Sequence, residues 1–392
     1  MSHATISSVE VTTTTNKSGS STLSTTVHTA GGSETYNAAT AYGTAVTGEQ
    51  IRKLQEKVSN SLVGIDAAHQ QEVDDILAQV SDTSTDTFDT NAVLSSISLA
   101  NAKTASAVIG VPLHEHIRGF ANTNGGSPVP LLYTTLISGG PRNPSPLAFR
   151  AFNIIPETDN IERAYKVVRD IKTALGTVLR TNTHEEDLPT GHDGAFSPLS
   201  LEFNQAGLEM LLEGVAEAFP EVKVRLAINA GASQLFSKDT YRIDQQKLTA
   251  QQLQGYYDYL IDRFHISSIE DPFDRDAFGT FREMRERHES LQVVGGELVK
   301  TNIERLHRAH EEKSVSAISV TPSDSRTLSE MLTVIRAAHE ASIRCIISHG
   351  DNETPESLIA DLAVGCGCFG IKPGAPGTQE NDVKYERLME IA

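Results

Sequence analysis

The sequence of 392 residues is poor in cysteine, aromatic residues and positive charge, and each shortage excludes a class of protein. It has no tryptophan and three cysteines, Cys345, Cys366 and Cys368, which are too few and too clustered for a disulfide framework. Lys and Arg number 33 against 51 Asp and Glu, and the net charge of −18 opposes binding to nucleic acid or to an anionic membrane surface. We therefore expect buried, reduced thiols, and no nucleic acid or membrane as a partner.

Long hydrophobic segments are also lacking. The sequence has no run of about 18 apolar residues, and its first residues lack the basic-then-apolar order of a signal peptide. Hydrophobic residues still make up 39% of the chain, which is enough to build a core. These features predict a globular protein in the cytoplasm.

The chain divides into two parts with different hydrophobic patterns. Residues 1–47 are rich in Ser and Thr and alternate in polarity, which predicts a small sheet, or an arm that is flexible over about its first 30 residues. From Thr47, a candidate helix cap, apolar residues recur at helical spacing as far as Ile109. A turn-rich stretch begins at Phe120, so we place an N-terminal α+β domain at residues 1–120 and a second domain at residues 121–392.

In the second part, short apolar runs alternate with helical stretches. The predicted strands are Pro130–Ile137, Phe149–Ile155, Val222–Asn229, Ile266–Glu270, Gln292–Gly295, Ala317–Thr321, Ile343–Ser348 and Phe369–Ile371. Such alternation indicates an α/β fold with a parallel sheet, either closed as a barrel or open and doubly wound. Neither a dinucleotide-binding glycine motif nor a P-loop is present, which favours the barrel.

Polar side chains stand where several of these strands end, which is the functional face of a (β/α) barrel. Glu270 can hold a hard cation, whereas Asp271 is equally suited to cap the next helix. His349 is a candidate acid, base or anion contact, although a structural role is open for it. Lys372 suits a carboxylate or phosphate group, and it could equally be solvated.

Longer motifs around these residues resemble those of the enolase (phosphopyruvate hydratase) family. The matching stretches, in order and spacing, are Ser268–Asp274, Ser348–Thr354, Ile359–Gly365 and Ile371–Pro376. The resemblance is strong over residues 91–392 and faint before them. It implies an enolase-like (β/α)8 barrel that opens ββαα behind a small α+β capping domain. It also implies Mg²⁺ as cofactor, a phosphorylated carboxylate as ligand and a homodimer.

The resemblance implies which residues form the metal site, and several of these positions are altered. The implied ligands are Asn229, Glu270 and one of the pair Gly296 and Glu297, in which the ungapped alignment puts Gly296 at the ligand position and the candidate Glu297 one place later. Only Glu270 keeps the family's residue, because Asn229 replaces an aspartate and Gly296 has no side chain. Ser33, in a Gly-Gly-Ser sequence, is a weak match to the family's metal-binding loop. We expect a degenerate Mg²⁺ site that lacks up to two formal charges.

The positions that the resemblance assigns to proton transfer are also altered. Thr321 stands where the family has its lysine base, and Ala151 stands at an acidic position. Asp193 replaces a catalytic glutamate, so its carboxylate is about one methylene shorter. Arg142 takes the place of a loop histidine, and Gly350 takes the place of an arginine that clamps phosphate.

Three candidate catalytic residues remain, Asp193, His349 and Lys372, and the last two are also candidate substrate ligands. Losing a general base alone costs about 10²–10⁴-fold in rate. We therefore predict a pseudoenzyme with little or no 2-phosphoglycerate dehydration and a structural, scaffold or binding role. Relatives with flagellar or scaffold roles support a cytoskeletal partner by analogy alone. Two alternatives stay open: a Mg²⁺-dependent glycolytic lyase with altered catalytic groups, and a non-catalytic protein that binds a small anion.

Overall fold

The computed structural model describes residues 3–16, 19–38, 48–81, 88–121 and 129–392. Thr47, the predicted helix cap, lies outside these ranges. So does most of the turn-rich stretch at the predicted domain boundary.

The N-terminal part combines an antiparallel sheet with helices. Its strands are β1 (Ile6–Thr15), β2 (Ser21–Thr29) and β3 (Gly32–Ala38). Its helices are α1 (Gly48–Leu62), α2 (Gln70–Ser81), α3 (Phe88–Ile109) and α4 (Leu113–Ala121). Side chains alternate along the strands, so Val9, Val11, Leu23 and Val27 are buried on one face. This is the small α+β domain that the sequence predicts.

Helix α3 is the core of this domain. By length and composition its segment Thr90–Ile109 is apolar enough to cross a membrane, but 78% of its most apolar window is buried inside the protein. Its Ala and Ser side chains allow β2 and β3 to approach closely, and the Ser96 hydroxyl lies 2.7 Å from that of Thr25. The hydrophobicity of α3 is therefore accounted for by packing.

Within residues 129–392 the second part contains twelve short strands. In chain order they are β4 (Leu131–Leu132), β5 (Thr134–Ser138), β6 (Ala151–Pro156), β7 (Val224–Asn229), β8 (Phe236–Ser237), β9 (Thr240–Ile243), β10 (Gln246–Leu248), β11 (Ile266–Glu270), β12 (Gln292–Gly295), β13 (Ala317–Val320), β14 (Arg344–Ser348) and β15 (Gly370–Lys372). Strands β8, β9 and β10 form a separate antiparallel sheet.

The other nine strands form an eight-stranded barrel. Their order is β4-β15-β14-β13-β12-β11-β7-β6-β5, and β4 and β5 act as one strand because Tyr133 alone separates them. The sheet thus closes on itself as a (β/α)8 barrel. All neighbouring pairs run parallel except those of β6, which is antiparallel to both β5 and β7. The predicted barrel and its ββαα opening are confirmed, although the sheet is not wholly parallel.

Helices surround the barrel. They are α5 (Ile161–Thr183), α6 (Asn204–Ala218), α7 (Ala250–Phe264), α8 (Phe278–Arg287), α9 (Ile303–Glu311), α10 (Leu328–Glu340), α11 (Leu358–Gly365) and α12 (Gln379–Ile391). The hydrophobic pattern does not predict α12, because its buried face mixes Tyr385 and Leu388 with the polar Asn381 and Lys384. The three cysteines are free and buried near α11, and burial raises the pKa of the Cys345 thiol above its usual value.

Polar contacts join the N-terminal domain to the barrel. The buried Asp74 carboxylate accepts hydrogen bonds from the Ser98 hydroxyl (2.6 Å) and from the Ser329 backbone N–H (2.8 Å) in the first turn of α10. Burial raises the pKa of Asp74 above its usual value. The Lys103 ammonium lies 2.9 Å from the Glu356 carboxylate. These contacts hold the N-terminal domain against the end of the barrel where its parallel strands finish.

Candidate functional site

A polar cavity of about 430 Å³ opens at the carboxyl end of the barrel. Most of the residues selected from the sequence line it, although they come from widely separated strands. They are Ala151, Asp193, Asn229, Glu270, Glu297, Thr321, His349 and Lys372. Ala151 reaches this end because β6 is antiparallel, so its first residue pairs with Ser138 and Asn229 at the ends of β5 and β7.

Ser33 does not belong to this cavity. It lies on β3 opposite His28 of β2, and its side chain is exposed. Ser33 is not among the residues that line the site. The resemblance of its Gly-Gly-Ser sequence to a metal-binding loop is therefore not matched by its position, and the structure does not bring Ser33 to Glu270 and Asn229.

Glu270 and Lys372 form a buried ion pair in the cavity. The Lys372 Nζ lies 2.7 Å from Glu270 Oε1 and 2.6 Å from Oε2, and each side chain is 10% exposed. Strands β11 and β15, which end at these residues, are separated in the sheet by three others, so the pair spans the barrel mouth. A solvated Lys372 is thus excluded. Its ammonium neutralises the one carboxylate that the family's metal-ligand pattern retains.

Asp271 does not cap the next helix. Helix α8 begins seven residues later at Phe278, and Asp271 adopts a left-handed backbone conformation with a φ of 48°. Its two carboxylate oxygens accept hydrogen bonds from the backbone N–H groups of Gly296 and Glu297, each at 2.9 Å. Burial, together with the negative charges of Glu270 and Glu297, raises the pKa of Asp271 to about 7.

A side chain at position 296 does not fit while the carboxylates of Asp271 and Glu270 keep these positions. A Cβ at this position would lie 2.7 Å from Asp271 Oδ2 and 2.9 Å from Glu270 Oε1. Because such contacts are shorter than carbon–oxygen van der Waals distances, a carboxylate side chain at residue 296 would require Asp271 to move. The lack of a metal-ligating side chain at position 296 and the present position of the Asp271 carboxylate are therefore linked.

The raised pKa of Asp271 predicts a pH dependence of stability. Because the folded state holds this proton more tightly than the unfolded state, the contribution of Asp271 to stability is fully present below about pH 4 and is lost as the pH rises through about 7. We expect the carboxyl ¹³C signal of Asp271, assigned with Asp271→Asn, to titrate near pH 7. Glu297→Gln should lower this midpoint because it removes a neighbouring negative charge, whereas the exposed control Glu283→Gln should not. A midpoint near 4 in the unmutated protein would contradict the prediction.

The cavity does not fit the Mg²⁺ that the resemblance implies. The buried Oδ1 of Asn229 has no hydrogen-bond donor within the described part of the chain, and such an oxygen suits a cation. However, both oxygens of Glu270 contact Lys372 and both oxygens of Asp271 contact backbone N–H groups. Mg²⁺ requires near-octahedral oxygen ligands. Among the residues that the structure describes, no group of three or more His, Cys, Asp or Glu side chains is arranged to hold a metal ion.

Arginine side chains and carboxylates form a network across the cavity. Arg150 Nη1 lies 3.2 Å from Glu297 Oε1, and Arg150 Nη2 lies 3.4 Å from Asp351 Oδ1. Arg142 also forms an ion pair with Asp351. The stem of Arg150 passes directly over Gly231, where a Cβ would lie 2.2 Å from Arg150 Cδ. Glycine at position 231 is therefore needed for Arg150 to follow this path into the cavity, because even alanine carries a Cβ.

The remaining candidate groups are held by hydrogen bonds. Asp193 Oδ1 accepts from the Ser138 hydroxyl at 2.5 Å and from the Ala195 N–H at 3.1 Å. His349 Nδ1 lies 2.7 Å from the Gly350 carbonyl oxygen, which can only accept, so Nδ1 carries a proton. In the neutral ring this leaves Nε2 as an acceptor. Thr321, directly after β13, contributes a hydroxyl where the resemblance expects an ammonium.

Sequence reasoning missed the roles of Arg150, Asp271 and Asp351. The one available signal for Asp351 was its place in the motif after His349. The signal for Arg150 was that it precedes Ala151 in the chain. This signal places Arg150 at the cavity only once β6 is known to be antiparallel. Asp324 also lines the cavity, and burial raises its pKa to about 6.

Comparisons with known proteins agree with this fold. The family described as "Enolase, N-terminal domain" matches residues 3–117, and "Enolase, C-terminal TIM barrel domain" matches residues 126–392. The chain is 31% identical over 343 residues to a protein named enolase from Methanocaldococcus jannaschii, covering 87% of this chain and 79% of the relative. It is 30% identical over 345 residues to an enolase from Methanococcoides burtonii, covering 87% and 80%. The chain therefore belongs to the enolase family.

Proposed function

We propose that this enolase-family chain acts by binding rather than by catalysis, and that 2-phosphoglycerate dehydration is lost. The observation that carries the proposal is the identity of two cavity residues, Thr321 and Ala151, at the positions that the resemblance gives to the base and to an acid. A threonine hydroxyl is not a base near neutral pH, and alanine transfers no proton. The ion pair of Lys372 with Glu270 supports the proposal, because it commits a cavity lysine to charge neutralisation.

The test is a direct assay of turnover. The full chain is incubated with 2-phosphoglycerate at millimolar Mg²⁺, and phosphoenolpyruvate is followed by its absorbance beside the enolase of Methanocaldococcus jannaschii. We expect a rate at least about 10⁴-fold below that relative, since both a base and metal ligands are replaced. Turnover within tenfold of the relative would contradict the proposal.

One observation favours a second candidate, a lyase with altered catalytic groups. Asp271 lies in the cavity with a pKa of about 7, a value suited to a general base at neutral pH. If the turnover assay gives a measurable rate, Asp271→Asn should abolish it. Thr321→Ser should leave it unchanged under this second candidate.

The binding role takes one of two forms in this proposal. In the first, a small phosphorylated carboxylate binds in the cavity beside His349 and Lys372. In the second, the outer surface serves a scaffold or cytoskeletal partner in the cytoplasm, and a homodimer is part of the assembly. Calorimetry with 2-phosphoglycerate and phosphoenolpyruvate, with and without Mg²⁺, separates the two, because only the first form predicts heat of binding. Light scattering after size-exclusion chromatography tests the dimer.

A further inference from the structure

Arg142 and Arg150, which line the cavity, already bind one anion, the carboxylate of Asp351. Arg142 forms an ion pair with Asp351, and Arg150 Nη2 lies 3.4 Å from Asp351 Oδ1. The side chains of Arg142, Arg150 and Asp351 are 27%, 26% and 22% exposed, so all three reach the solvent of the cavity while remaining partly desolvated. Partial desolvation strengthens such pairs relative to those on an open surface.

Each guanidinium group of this network already pairs with a carboxylate. Two positive charges, on Arg142 and Arg150, face two negative charges, on Asp351 and Glu297. A further anion therefore gains little binding free energy at the two arginines unless one of these carboxylates moves away. Glu297 is additionally held by Gln234 Nε2 at 3.2 Å. Asp351 lies in the loop after β14, one residue past Gly350.

We propose that Arg142 and Arg150 form a binding site for a small phosphate-type dianion, and that Asp351 is a built-in competitor displaced when this anion binds. Two guanidinium forks match the oxygens of a tetrahedral oxyanion, and a dianion brings twice the charge of the carboxylate that it replaces. Gly350, where the resemblance expects an arginine, lines the same cavity as Arg142 and Arg150. The two arginines therefore supply by other residues a capacity that the sequence motif lacks. The inference rests on the proposed binding function.

The competitor model is tested by removing the charge of Asp351. Inorganic phosphate is titrated into the full chain by calorimetry in the presence of a chelator, so that no divalent metal contributes. We expect Asp351→Asn to bind phosphate about tenfold more tightly than the unmutated chain, because a tethered competitor acts at high effective concentration. The matched control Asp262→Asn removes an exposed carboxylate of α7 and should leave the affinity unchanged.

The arginines are tested in the Asp351→Asn background. Arg142→Gln and Arg150→Gln should each abolish phosphate binding, and circular dichroism checks that the variants are folded. Acetate, a monoanion, should bind more weakly than phosphate to Asp351→Asn. The proposal is overturned if Asp351→Asn binds phosphate no more tightly than the unmutated chain, or if binding survives both arginine substitutions. These outcomes are distinct from that of the turnover assay: rapid 2-phosphoglycerate dehydration would contradict the proposed function, whereas the phosphate titrations contradict the arginine site alone.

Discussion

Lys384→Ala is expected to destabilise the barrel by about 3–5 kcal/mol, since it leaves a buried carboxylate without its partner. The Lys384 side chain is fully buried in α12, and its Nζ lies 2.7 Å from Glu353 Oε2. Glu353 is itself 8% exposed and also accepts a hydrogen bond from the Gly350 N–H in the loop that leads into the cavity. The loss is measured as the change in the urea unfolding midpoint and in the free energy of unfolding.

Two controls separate the buried charge from other effects of this substitution. Lys166→Ala removes an exposed lysine that pairs with Asp170 on α5, and it should leave the unfolding midpoint unchanged. The double variant Lys384→Met with Glu353→Gln removes both charges and should recover much of the lost stability, because no unpaired charge remains. An unfolding midpoint of Lys384→Ala equal to that of Lys166→Ala would show that the pair is not buried as described.

Lys372→Met is expected to have the second large effect, a loss of about 3–5 kcal/mol together with a new affinity for divalent cations. The substitution leaves Glu270 buried beside Asp271 without its cation, while the methionine retains the length of the lysine stem. The freed oxygens of Glu270 and the unpartnered Oδ1 of Asn229 then face the same space. Millimolar Mg²⁺ should raise the melting temperature of Lys372→Met and should not raise that of the unmutated chain.

Removing the Glu270 carboxylate tests whether the response of Lys372→Met to Mg²⁺ depends on this group. Lys372→Met combined with Glu270→Gln should be more stable than Lys372→Met alone and should not respond to Mg²⁺, because the unpaired charge is gone. If Mg²⁺ raises the melting temperature of the unmutated chain as much as that of Lys372→Met, then the Lys372 ammonium does not occupy the place that a metal ion would take. That result would favour the lyase with altered groups over a binding protein.

Within the cavity, the protein's own cations take the positions where a charged ligand or metal could otherwise lie. Lys372 neutralises Glu270, and Arg150 neutralises Glu297 and Asp351. This internal neutralisation explains how several carboxylates lie together in a protein of net charge −18. It also gives the physical basis for the substitutions above, since removing either partner exposes an uncompensated charge.

Local patterns were sufficient to predict the strands of the barrel and most of its helices. The apolar runs that end at Asn229, Glu270 and Ser348 are strands because each is short, apolar and followed by turn residues, and their ends define the functional face. The same reasoning placed Glu270, His349 and Lys372 at one cavity, since parallel strands of a barrel end together. Helix α12 was missed because Lys384, a charged residue, occupies its buried face.

The sequence by itself determined the family, the two-domain order and which residues reach the carboxyl end of the barrel. The tertiary structure decided how their charges pair, because the pairs form across the barrel mouth between residues far apart in the chain. It joined Lys372 to Glu270, turned Asp271 away from its own helix toward Gly296, and brought Arg150 to the site through an antiparallel strand. It also left Ser33 outside the cavity. Spacing along a chain fixes which face a side chain occupies, whereas the partner of a buried charge depends on the three-dimensional arrangement of every strand around it.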